Sequence, residues 1–162
     1  MTADRLERLR QQVDAIIPTQ PDAEQRRCGY VHLYGVSATC VLLAHKRGLN
    51  VEICAAMGML HDIWSYGPNF SLEKGPNPAH GSLGIPEARR VLQACDFSPG
   101  EVETICTAIG RHSAKSEVHG PFDELLKDAD VFQHYLYNPA LNPCRQSDTR
   151  LSGILNEFGI SP

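Results

Sequence analysis

Residues 51–62, VEICAAMGMLHD, are apolar on every face of a helix except at Glu52, until they run into His61-Asp62. A helix with no polar face has to be central, with other helices packed round it. The doublet at its end is then the anomaly. Burying an uncharged polar group without a partner costs roughly 2–7 kcal/mol, and an unpaired carboxylate more, so the pair must cap or coordinate something. Adjacent residues on a helix diverge by ~100°. His61 and Asp62 can therefore share a direction only at the C-terminal end of their helix, at the mouth of the core.

The rest of the chain supplies helices to surround this one. Leu6, Leu9, Val13, Ile16 and Ile17 make an amphipathic first helix that Pro18 ends. YVHLYGVSATCVLLAHKR reads as a second helix, stopped by Gly48, and Asn50 can N-cap the third. AHGSLGIPEARRVLQAC is helical, with Pro86 expected to start a second segment of it. SPGEVETICTAIGRH opens with a capping box from Ser98 to Glu101 and has Pro99 at its first helical position. PFDELLKDADVFQHYLYN and DTRLSGILNEF complete the series, and Gly159 stops the last. Period-2 alternation is nowhere sustained. The expectation is an all-α fold of about six to eight helices, forming a single domain over residues 1–162.

A formal charge of -4 gives no basic footprint for a nucleic-acid polymer. The charged, amphipathic N-terminus has no apolar core like that of a signal peptide, and no run approaches the ~18–20 apolar residues of a membrane span. Cys28, Cys40, Cys54, Cys95, Cys106 and Cys144 include no CxxC pair, and most fall inside helical apolar patterns. They read as reduced, buried thiols of a cytoplasmic protein.

The polar residues in apolar company form a set. His32, His61, His80 and His112 fall within apolar helical patterns or at helix ends. His112 closes the stripe Val102, Ile105, Ile109 at helical spacing. In the sixth helix the ~100° rotation per residue turns Asp130 slightly nearer the inner face than Asp128. Each residue alone has an ordinary reading, as a satisfied core histidine or a helix cap. The order His32, His61-Asp62, His80, His112, Asp130 is a pattern. Four imidazoles and two carboxylates make a nitrogen-rich site that suits a divalent transition metal (Fe, Mn, Co, Ni or Zn) better than Mg or Ca.

VHLYGVS with His32, MLHDI with His61 and Asp62, AIGRHS with His112 and LLKDADVF with Asp130 resemble the HD-domain superfamily of metal-dependent phosphohydrolases over residues 27–138. The resemblance implies that His32, His61, Asp62 and Asp130 bind one metal ion. It further implies that Asp62 bridges to a second ion completed by His80 and His112, as in members that hold two. The activity implied is hydrolysis of a small phosphate ester, nucleotides included, by metal-activated water, with His61 and Asp62 at the reaction centre. Phosphate also needs cations. Arg27 and Lys115 are candidates for catalysis and substrate binding, with Lys74 and Arg111 as further substrate contacts. Lys127 lies beside the DAD segment. Trp64, Tyr66 and Phe70, in a long loop after the doublet, read as packing residues, and His45, His119 and His134 as surface or structural. Two other functions share the pattern: an HD-fold mixed-valent di-iron oxygenase and a non-catalytic nucleotide-binding sensor. The oligomeric state is open, a homodimer included.

Overall fold

The computed structural model describes residues 3–74, 77, 79–140 and 149–161. These residues form seven α-helices and no strand: α1 (Ala3–Ile16), α2 (Ala23–Arg47), α3 (Val51–Leu60), α4 (His80–Ala94), α5 (Pro99–Arg111), α6 (Pro121–Tyr137) and α7 (Thr149–Glu157). The apolar α3 is the hub, packed against α1, α2, α5 and α6. Met57 and Leu60 have no exposed surface. Its one polar residue, Glu52, is paired with Arg5. Arg5 of α1 donates to Glu52 (2.6 Å) and to Glu101 of α5 (2.8 Å), tying three helices together at the end of the bundle remote from His61. These bonds hold the Glu101 carboxyl down at about 2.

Local signals set most of the helix ends. The Asn50 side chain accepts from the Ile53 N–H. The Ser98–Glu101 capping box is complete, with Pro99 in the first turn. Gly48 closes α2 at φ 67°, a left-handed conformation in which a side chain would be strained. Two boundaries differ from expectation. Helix α2 begins at Ala23 rather than at Tyr30, because the Asp22 carboxylate accepts from the Gln25 N–H and caps it there. Pro86 lies inside α4 and does not divide it. Proline removes the hydrogen bond to the carbonyl four residues back, here that of Ser82. Ser82 is exposed, so water can take up that carbonyl, and packing on α5 carries the helix through.

Helix α7 packs on α6 through a small separate core of Phe132, Leu151, Ile154 and Leu155. Around it, Arg47 and Arg150 each pair with Asp128 (2.7 and 2.6 Å). Asp128 is thereby spent on the α2–α6–α7 seam, and Asp130 turns to the other side. Lys127 is fully buried and donates to Glu117 O, Glu124 Oε1 and His119 Nδ1 at 2.7–2.8 Å, so it and His119 are structural. Cys40, Cys54, Cys95 and Cys106 are free and buried, Cys28 is half-buried, and Cys144 lies outside the described residues. No helix among the described residues is long and apolar enough to cross a membrane.

Candidate metal centre

Helix ends deliver most of the six polar side chains to one place. His61 and His112 are the C-terminal caps of α3 and α5, and His80 is the first residue of α4. Asp62 follows in the turn after α3, while His32 and Asp130 come from the middle of α2 and α6. Two glycines allow the approach. A Cβ on Gly58 would stand 2.5 Å from Ser37 Cα, so only glycine lets α3 cross α2 closely enough to bring His61 to His32. A Cβ on Gly81 would stand 2.7 Å from Ile109 O and 3.1 Å from His112 Nδ1, which fixes how near α4 comes to α5.

All four rings are held by their Nδ1 atoms. His61 donates to Gly58 O (2.8 Å), His80 to Asn77 O (2.8 Å), His112 to Ile109 O (2.7 Å) and His32 to Gln133 Oε1 (3.0 Å). A carbonyl oxygen only accepts, so each Nδ1 carries the hydrogen and each Nε2 presents a lone pair inward. The inward atoms then meet in two groups. His32 Nε2 lies 3.1 Å from His61 Nε2 and 3.4 Å from both Asp62 Oδ2 and Asp130 Oδ1. His80 Nε2 lies 3.1 Å from His112 Nε2, and these two stand 3.3 and 3.2 Å from Asp62 Oδ1.

Acceptors facing acceptors at 3.1–3.4 Å repel unless a cation lies among them. Asp62 Oδ1 and Asp130 Oδ1 are buried with no hydrogen-bond partner, the costly condition that a bound cation would relieve. The donor set, the outer Nδ1 bonds and the orphaned oxygens are thus compatible with a divalent metal ion. The electrostatics agree. Burial pushes His61 down to about 4, leaving it neutral at pH 7. Burial alone would raise Asp62, but the imidazoles round it hold it well below the usual carboxylate range. Burial would likewise lower His32, but Asp62 and Asp130 outweigh it and raise its pKa.

A family model for the HD domain matches residues 29–135. The chain belongs to the HD domain family. No solved structure matches it.

In this HD domain the other residues singled out by sequence divide. Lys115 reaches the cluster, donating to Asp130 Oδ2 (2.5 Å) and to His112 O (2.7 Å), which leaves Asp130 Oδ1 to face the imidazoles. Arg27 stands at the edge of a cleft beside His32, exposed and bonded to Glu24 (2.5 Å). Arg111 is not brought in: it is half-exposed, and its guanidinium stands 3.6 Å from Asp123. The side chain of Lys74 lies outside the described residues. Trp64 packs edge-on to Phe70 (5.5 Å between ring centres), as expected of packing residues. Tyr66 instead reaches within 6.0 Å of the His32 ring.

Sequence reasoning missed Gln133 and read His134 only as surface or structural. Gln133 holds His32, and the exposed His134 lies edge-on to the His32 ring (5.0 Å), its Nε2 3.6 Å from Asp130 Oδ1. Their spacing of three and four from Asp130, on one helical face, was the available signal.

Gln133 carries a prediction. The other three imidazoles are oriented by backbone carbonyls, which no substitution removes, whereas His32 depends on a side chain. Gln133→Leu should weaken metal binding about 10–100-fold, the usual cost of losing an outer partner. Gln133→Glu should restore it. Competition with a chelating dye measures both; undiminished affinity in Gln133→Leu would show that this bond does not orient a ligand.

Proposed function

We propose that this HD domain is a metal-dependent phosphohydrolase acting on a small phosphate ester, as a single domain over residues 1–162. One ion would be held by His32, His61, Asp62 and Asp130, and a second by Asp62, His80 and His112. The observation that carries the reading is the division of labour at Asp62. Its Oδ2 faces His32 and His61 while its Oδ1 faces His80 and His112, the disposition of a bridging carboxylate. Bound divalent ions would supply a water nucleophile at neutral pH and offset the charge that develops on the phosphoryl oxygens.

The chain's own residues do the rest. The four Nδ1 bonds keep the imidazoles aimed, so little reorganisation is needed when charge develops. Lys115 keeps Asp130 in one orientation and, at 32% exposure, remains open to a ligand. Arg27 offers a second cation from the cleft edge. Arg111 takes no part in this proposal.

Hydrolysis needs no O2, whereas a mixed-valent di-iron oxygenase does. In an anaerobic chamber with Mn as the only added metal, inorganic phosphate should still be released from a phosphate ester. Strictly O2-dependent turnover, with no phosphate released without O2, would replace this reading by the oxygenase. Binding without turnover in either condition would replace it by the sensor.

A further inference from the structure

On its His32 side the cluster adjoins a cleft of about 190 Å³ between α2 and α6. His32 lines it with Val31, Tyr66 and Tyr137, and its more polar lining is Arg27, Cys28, Gln133 and His134. Its size, charge and lining each restrict what can enter.

The volume is below the ~300–1,000 Å³ of ordinary small-molecule pockets. It covers a single ring or a short chain, and a whole nucleoside would extend out of it into solvent. The charge restricts the number of phosphates. Among the described residues, the Lys and Arg side chains that line the cleft or touch the cluster are Arg27 and Lys115. Both already have anionic partners, Glu24 and Asp130. A second phosphate would need cations of its own. Part of the lining is aromatic and aliphatic, with Val31 38% and Tyr137 59% exposed, leaving apolar surface for a ligand to cover.

From these we infer that the cleft receives the leaving group, and that the substrate is a phosphate monoester of a small, uncharged, apolar or single-ring alcohol rather than a nucleotide. This rests on the phosphohydrolase reading. The step balances without a redox partner. Water oxygen forms one P–O bond, the ester P–O bond breaks, and a proton from water ends on the departing oxygen, giving the free alcohol and inorganic phosphate.

The test is binding of non-hydrolysable probes to the Mn-loaded protein by calorimetry. Phenylphosphonate should bind at least about tenfold more tightly than methylphosphonate, a difference of ~1.4 kcal/mol, and more tightly than adenosine monophosphate. Val31→Trp, at a partly exposed site that tolerates a larger side chain, should fill the cleft and bring phenylphosphonate down to the level of methylphosphonate. Metal retention, measured alongside, reports whether the variant is folded. Tyr137→Ala, which removes part of the lining without adding bulk, should weaken phenylphosphonate several-fold. Adenosine monophosphate binding as well as phenylphosphonate, or a phenyl preference that survives both substitutions, would overturn the inference while leaving the hydrolase reading intact. Failure of every phosphonate to bind would overturn the inference together with that reading.

Discussion

Asp62→Ala should abolish retention of a transition metal and, with it, turnover of phosphate esters. No neighbouring carboxylate can replace a group whose two oxygens face two different pairs of imidazoles. In chelator the same substitution has two opposed effects. It relieves Asp62 Oδ1, which is buried with no hydrogen-bond partner, a condition that costs about 1–3 kcal/mol, and it removes a carboxylate that the surrounding imidazoles hold in its ionised form. The metal-free variant and the metal-free parent should therefore differ far less in stability than the two proteins do when metal is supplied. His45→Ala, at an exposed position on α2, is the control and should change stability by no more than about 0.5 kcal/mol. Elemental analysis after gel filtration reads metal retention, and thermal unfolding with and without chelator reads stability. Metal retained by Asp62→Ala would place the centre elsewhere.

The second large effect is thermal. Adding Mn or Fe to chelator-treated protein should raise its melting temperature steeply. An ion at 1,000 times its dissociation constant stabilises the native state by ~4.1 kcal/mol. For a chain of this size each kcal/mol moves the midpoint by about 2–4 °C, so the rise should be on the order of 8–16 °C. The physical source is local: four Nε2 atoms crowd round Asp62 and Asp130, and Asp62 Oδ1 and Asp130 Oδ1 have no hydrogen-bond donor. Mg should do much less, because a site rich in imidazole favours transition metals. An equal rise with Mg, or none with any of these ions, would contradict a nitrogen-rich metal centre.

Much of this was legible in the chain itself. The apolar run before His61 predicted a central helix, and α3 is the hub. Asn50, Gly48 and the Ser98–Glu101 box act within a single turn of helix, so their effect could be read residue by residue. The placing of His61-Asp62 at a helix end followed from the angular step of the helix alone. The family was legible too, in the order of the polar residues along the chain.

Tertiary packing decided the rest. Pro86 obeys a local rule in isolation, yet packing against α5 keeps α4 whole through it. Asp128 and Asp130 are almost equally turned toward the core by periodicity. What separates them is that Arg47 and Arg150, from α2 and α7, take the first. Lys115 found Asp130 and Arg111 was left outside, neither of which the helical period distinguishes. Periodicity and capping act over three or four residues and determine which face of a helix is buried. Which groups meet across that face depends on how helices far apart in sequence cross, and here on Gly58 and Gly81, where the absence of a side chain sets the distances between helices.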